Sequence, residues 1–260
     1  MSRRKVVFMD IDGTLIADGC SAPSDAVVKQ IERARAQGHL FCLCTGRSYG
    51  CLPQSLRSAP YIDGVVAACG THVMLHGEEI WREEIPRPVL RQLCRYFLEY
   101  KRDCLFEGER EVYATGNWLK GLHIDHEDNF ENRYPDDGIT KLTVPFQMQP
   151  GDREFLSEWF SLCQMEQHFE AILLGNSKAV GIQRLLTATH VAREDSIGVG
   201  DSENDLSMIQ YVGMGVAMGN AVQALKDVAQ YVTTSCSQDG VAQMIRTYIF
   251  GETEWSEKDA

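Results

Sequence analysis

The sequence predicts a doubly wound, Rossmann-like α/β core built on a parallel sheet, with an α+β domain inserted into it. Three observations point there. Short apolar runs of strand type alternate with amphipathic helical stretches toward both ends of the chain. The alternation lapses in the middle, and three of the apolar runs stop abruptly at a polar residue.

Lys5–Met9 is the first strand run. Ser24 has the chemistry of a helix N-cap, and Val27, Val28, Ile31 and Ala34 give the next segment an apolar helical face ending at Gly38. His39–Cys44 and Gly64–Cys69 are the second and third strands. The rhythm returns where Ser177 precedes a helix carrying Val180, Ile182, Leu185 and Leu186. Ser196–Gly200 reads as a strand and Asp205–Val212 as its following helix. Gly215–Met218 and Tyr231–Thr234 are further strands, separated by a helical Ala221–Val228.

From about Trp81 to Gly175 the pattern differs. Leu90, Leu93, Cys94 and Phe97 make one amphipathic helix, and Phe155, Leu156, Trp159, Phe160 and Cys163 make another. Between them lie a hairpin-like LFEGEREVYA and a strand at Thr140–Phe146. This division gives a core of residues 1–82 and 175–260 and an insertion of residues 83–174. The aromatic residues of the insertion, Trp118 and Trp159 among them, are expected to form its own small core. The closing GETEWSEKDA reads as a frayed polar tail.

At 260 residues the chain can build one large domain or two modest ones. A formal charge of -12 argues against a nucleic-acid partner, which needs a basic face to neutralise phosphates. It allows a small phosphorylated ligand, provided a cation is present in the site. No segment approaches the length of a membrane span, and the apolar run after Arg3, Arg4 and Lys5 is too short for a signal peptide. Nine scattered cysteines without a C-x-x-C pair suggest neither a zinc ribbon nor a redox motif, and fit a reduced, cytoplasmic setting. The oligomeric state is not legible.

The polar stops carry the chemistry. They are Asp10 in DIDGTL, Thr45 in LCTGR and Asp201 in IGVGDSEND. Ligands of open parallel sheets bind outside the carboxyl ends of the strands, so neighbouring strands would bring these residues to one edge. Two or three carboxylates gathered there repel one another unless they hold a divalent cation, and all-oxygen ligands favour Mg²⁺.

The D-x-D-G-T of Asp10–Thr14, the strand-terminal Thr45, Lys178, and the G-D-x-x-x-D of Gly200–Asp205 resemble the four motifs of the haloacid dehalogenase superfamily. Their order, with a large insertion after the third strand, is similar to Cof-type phosphatases with a type II cap. One departure is visible: Lys178 is followed by Ala179, and the glycine common after this lysine comes at 181.

The resemblance implies an Mg²⁺-dependent phosphatase working through an aspartyl-phosphate. Asp10 would be the nucleophile, and Asp12 would protonate the leaving oxygen and later activate water. The side chains of Asp10 and Asp201 and the backbone carbonyl of Asp12 would hold the metal. Thr45, the Gly46 amide and Lys178 would bind the transferring phosphoryl group, and Asn204 would contact phosphate or substrate. Asp205 would support the metal through water or position Lys178. The substrate class is a small phosphorylated metabolite, such as a sugar phosphate or phosphorylated cofactor. The same aspartyl-phosphate would serve a phosphotransferase or phosphomutase, and the fold alone would serve a non-catalytic phosphometabolite-binding regulator. A binder, however, has no need of a general acid at Asp12.

Other stretches have plainer readings. Gly213–Ala221 lacks a clean G-x-G-x-x-G and reads as turn, strand and turn at the active-site rim. His123–Asp128 mimics a metal cluster but reads as a solvated loop, with a substrate-facing cap loop as the alternative. Arg47 either touches substrate or caps a helix.

Overall fold

The computed structural model describes residues 3–117, 121–145, 147–165 and 167–252. Trp118, Phe146 and residues 253–260 of the expected tail therefore lie outside the described residues. The first strands are β1 (Val6–Met9), β2 (Leu40–Cys44), β3 (Gly64–Ala67), β4 (His72–Leu75) and β5 (Glu78–Arg82). A second set follows: β6 (Cys104–Gly108), β7 (Val112–Thr115), β8 (Leu122–His123), β9 (Ile139–Pro145), β10 (Phe160–Gln164) and β11 (His168–Leu173). The chain then returns through β12 (Ser196–Gly200), β13 (Met214–Ala217) and β14 (Tyr231–Val232).

The larger sheet has the order β14-β13-β12-β1-β2-β3-β4-β5, and the smaller one β10-β11-β9-β6-β7-β8. Strands β1, β2, β3, β12, β13 and β14 run parallel, with β1 between β2 and β12. All four residues of β1 and all five of β2 are buried, which is why these strands read as unbroken apolar runs. Helices Asp25–Arg35 and Gly240–Tyr248 pack together, whereas Lys178–Thr189 packs on β3, β4 and the helix Leu206–Tyr211. The expected α/β class is thus what the chain adopts.

Helix starts follow the caps. Ser24 accepts a hydrogen bond from the Val27 amide, and Ser177 accepts one from Val180.

Two features depart from the sequence reading. The edge hairpin β4–β5 continues the large sheet with antiparallel strands, turning at His76 and Gly77, both in the left-handed region. The segment expected as a single amphipathic helix over Phe155–Cys163 is split. Its helix covers only Asp152–Ser157, and Phe160–Gln164 is strand β10, paired antiparallel with β11 from Phe160↔Leu173 to Gln164↔Phe169. The apolar spacing suits a helix, but Phe160 reaches the same core from a strand, and pairing with β11 supplies the backbone partners.

Apolar burial is organised in two clusters. One surrounds the large sheet and includes Phe8, Phe41, Val199 and Ile245. The other lies between the small sheet and helix Arg87–Glu99, joining Leu90, Leu93, Cys94 and Phe97 to Phe106 and Phe130. All nine cysteines are free thiols. No helix among the described residues is long and apolar enough to cross a membrane.

Candidate active site

Because β2, β1 and β12 are neighbours, the chain leaves the sheet at Thr45, Asp10 and Asp201 side by side. The Asp10 amide donates to the Val199 carbonyl at 3.0 Å, tying the end of β1 to that of β12. The next residues fold back on themselves, the amides of Leu15 and Ile16 both donating to the Ile11 carbonyl. This turn requires Gly13. Its φ is +77°, and a Cβ there would lie 2.4 Å from Asp201 Oδ2. Thr14 completes the junction, its hydroxyl donating to Asp201 Oδ1 at 2.8 Å.

Lys178, at the first turn of its helix, is almost wholly buried between two carboxylates. Its Nζ donates to Asp10 Oδ1 at 2.7 Å and to Asp205 Oδ1 at 2.6 Å. Burial works against the ammonium charge, but Asp10 and Asp205 outweigh it and hold the Lys178 pKa above its ordinary value. The other oxygen of Asp205 accepts from the Asp201 and Ser202 amides at 3.0 and 3.1 Å. Asp205 therefore anchors both Lys178 and the loop carrying Asp201.

Asp10, Asp201 and Asp205 each bring a carboxylate oxygen within 4.8 Å of one another. With both Asp205 oxygens engaged, Asp10 and Asp201 are the available donors. Burial pushes the Asp10 carboxyl well above its usual range despite Lys178, and pushes Asp201 up to about 6. Crowded, dehydrated carboxylates of this kind suit a bound cation, and an all-oxygen donor set suits a hard divalent ion.

Asp12 points elsewhere. Its carboxylate is more than half exposed and pairs with Arg47 in a fork, Nε to Oδ2 at 2.8 Å and Nη2 to Oδ1 at 2.6 Å. Arg47, which the sequence left open between substrate contact and helix cap, thus holds a carboxylate beside Asp10. Thr45 is buried between β2 and β3, its amide donating to Val66 and its hydroxyl accepting from the Arg47 amide. Gly213–Ala221 is indeed turn, strand and turn at this edge, and Asn220 Nδ2 donates to the Gly13 carbonyl at 2.8 Å.

A cavity of about 530 Å³ opens above these groups. The core side presents Asp10, Asp12, Thr45, Arg47 and Asn204, and the small sheet presents Glu107, Lys141, Thr143, His168 and Glu170. Lys141 is buried, its Nζ donating to the Gly46 carbonyl at 2.7 Å and to Glu170 Oε1 at 2.9 Å, with Glu107 Oε1 at 3.2 Å. Burial opposes its charge, yet Glu107 and Glu170 hold its pKa raised. Burial alone would raise Glu170, but the Lys141 charge and hydrogen bond bring it down to about 2. The second Glu170 oxygen accepts from Asn204 Nδ2 at 3.2 Å, so Asn204 faces the insertion across the cavity. Gly46 is a point of close approach between the two sheets: a Cβ there would stand 2.3 Å from Glu170 Oε1.

Glu107, Lys141 and Glu170 were not among the sequence candidates. Their signal was a single charge set in each of three apolar strands, in CLFEG, ITKLTVP and HFEAIL. The His123–Asp128 stretch does not line this cavity. Its Asp125 accepts instead from Asn129 and Arg133. A second cavity of about 590 Å³, bordered by Phe97, Arg102, Val144 and Asp152, touches none of the core carboxylates. Chemistry rather than size singles out the first.

The sequence model described as haloacid dehalogenase-like hydrolase matches residues 7–245. Among curated proteins, the chain is 27% identical over 264 residues to the 5-amino-6-(5-phospho-D-ribitylamino)uracil phosphatase YitU of Bacillus subtilis, covering 94% of this chain and 97% of that one. It is 24% identical over 270 residues to the pyridoxal phosphate phosphatase YbhA of Escherichia coli, covering 94% and 98%. Among solved structures, the subclass IIB sugar phosphatase BT4131 superposes with a TM-score of 0.80 at 23% identity, covering 95% and 99%.

Proposed function

The chain belongs to the haloacid dehalogenase-like hydrolases, and from that membership we propose that it is a phosphoric monoester hydrolase that moves the phosphoryl group of a small phosphorylated metabolite first to Asp10 and then to water. The observation that carries this reading is the arrangement at the mouth of β1. Asp10 is held by Lys178 with Asp201 beside it, and Asp10 and Asp12 open together on one cavity. Relatives across the whole chain are phosphatases of chemically different metabolites, which supports the reaction class and leaves the leaving group open.

In the proposed reaction the Asp10 carboxylate attacks phosphorus and the ester bond breaks toward the leaving oxygen, which takes a proton from Asp12. Asp12 then takes a proton from water, water attacks the aspartyl-phosphate, and inorganic phosphate leaves. Thr45, the Gly46 amide and Lys178 bind the phosphoryl oxygens, with Lys178 offsetting charge that grows in the transition state. Asp205 keeps Lys178 charged and aimed, and Asn204 contacts substrate from the opposite wall. Asp10, Asp201 and the Asp12 carbonyl would hold Mg²⁺, which when bound supplies the positive charge that lets a carboxylate approach a phosphate dianion. The insertion of residues 83–174 acts as a cap that covers the core of residues 1–82 and 175–260 and excludes water.

The test is phosphate release from a panel of phosphorylated metabolites and an aryl phosphate, with and without Mg²⁺, for the wild type and Asp10→Asn. Mg²⁺-dependent release that the variant loses while keeping its circular dichroism is the expected result. A wild type that releases phosphate from no member of the panel would overturn the reading.

A further inference from the structure

The cavity wall supplied by the small sheet has an unusual charge economy. Lys141 donates to the Gly46 carbonyl and to Glu170, and Glu107 Oε1 lies 3.2 Å from its Nζ, so two carboxylates already share its charge. Glu107 also takes the Thr143 hydroxyl and the Ser48 amide. Glu170 is engaged by Lys141, Asn204 and the Cys69 thiol. The wall that the small sheet presents thus carries two carboxylates against one cation, and Arg47, on the core side, is already forked to Asp12.

A leaving group with a carboxylate or second phosphate would enter a partly dehydrated cavity with an excess of negative charge. It could gain a cation only by breaking an existing ion pair. What remains available is neutral hydrogen-bonding chemistry from Gln167 and His168, the last kept uncharged because burial lowers its pKa, with the Thr143 hydroxyl oxygen as an acceptor. Among the described lining residues there is no Phe, Tyr or Trp on which a flat heterocycle could stack. The volume of about 530 Å³ suits a small polar compound.

We propose that the Glu107–Lys141–Glu170 cluster sets the leaving-group preference, so that the substrate is the monophosphate of an uncharged, hydroxyl-bearing compound and esters with a second anionic group are rejected. This rests on the hydrolase reading above. The discrimination comes from fixed charge on the insertion and not from the phosphoryl site, which treats all monoesters alike.

A matched pair isolates that charge: sorbitol 6-phosphate and 6-phosphogluconate share a six-carbon hydroxylated chain and differ at the far end, alcohol against carboxylate. The expected wild-type kcat/KM favours sorbitol 6-phosphate by at least about tenfold, the scale of one like-charge contact in a half-dehydrated site. Glu107→Gln and Glu170→Gln each remove one negative charge, and each should shrink the ratio about threefold or more. A purely structural role would lower both substrates together and leave the ratio unmoved. An aryl phosphate run in parallel separates the two readings. Turnover of the aryl ester with equal or better use of 6-phosphogluconate overturns this proposal alone, as does a ratio unchanged in both folded variants. Absence of turnover with every ester overturns the hydrolase reading and this proposal with it.

Discussion

Two buried lysines, one in each sheet's territory, are flanked by pairs of carboxylates, and the contrast between them separates chemistry from architecture. Lys178 sits between Asp10 and Asp205 at the end of the large sheet. Lys141 sits between Glu107 and Glu170 on the small one. Both stay charged because carboxylates outweigh burial. They differ in what they hold. Lys141 ties two carboxylates of the small sheet to the Gly46 carbonyl across the junction, whereas Lys178 holds Asp10, the carboxylate at the end of β1 that opens on the cavity. A lysine set against a carboxylate at the polar edge of the parallel strands stands where chemistry can occur. One set among the small sheet's own glutamates fixes walls and charge.

Removing each cation should therefore break the molecule in different ways. Lys178→Met and Lys141→Met both strand buried carboxylates, and each should cost roughly 3–5 kcal/mol of stability in denaturant titrations. Only Lys178→Met should also lose about 10²–10³-fold in kcat among the molecules that remain folded, the loss typical of a removed transition-state donor. Equal catalytic losses in the two variants would erase the distinction.

The junction between the two regions gives the next effect. Gly46→Ala would drive a methyl into Glu170, so the carboxylate must retreat from Lys141. A loss of about 1–3 kcal/mol is expected, read as a lowered Tm. An unchanged Tm would mean that the small sheet does not press on the turn at Gly46.

Acid should probe the same contact more gently. The Glu170 pKa is depressed, about 2 in the folded chain against an ordinary 4.5. The folded carboxyl thus binds its proton less tightly than the unfolded one. Its stabilising contribution is complete above pH 4.5 and is lost as pH falls toward 2. Melting curves for the wild type should steepen their decline over that window relative to Glu170→Gln. The smallest effect belongs to the rim, where Asn220→Ala removes the brace on the Gly13 carbonyl at a cost of about 1 kcal/mol.

How much of this was legible in the sequence follows the same divide. The large sheet announces itself because buried parallel strands are written as continuous apolar runs, and Asp10, Thr45 and Asp201 stand where those runs stop. Asp205 and Lys178 sit in or beside recognisable motifs. The small sheet is harder to read. Its strand β10 carries apolar residues at spacings that also fit a helix, and only long-range pairing with β11 decides between them. The hairpin β4–β5 hides for a related reason: its outer strand β5 is largely exposed and lacks a buried face to pattern its residues. Glu107, Lys141 and Glu170 lie on three different strands, and no local spacing reveals that they converge. Arg47 was visible as a charge after Thr45, but its partner Asp12 lies 35 residues earlier and could be assigned only in three dimensions.

Transfer of the phosphoryl group to Asp10 leaves a chemical trace. Acid-quenching the enzyme during turnover of an aryl phosphate with Mg²⁺, then mapping the phosphorylated peptide by mass spectrometry, should reveal it. A labile phosphate is expected on the peptide containing Asp10 in the wild type and none in Asp10→Asn. Phosphate carried by another residue, or undiminished turnover in Asp10→Asn, would contradict it.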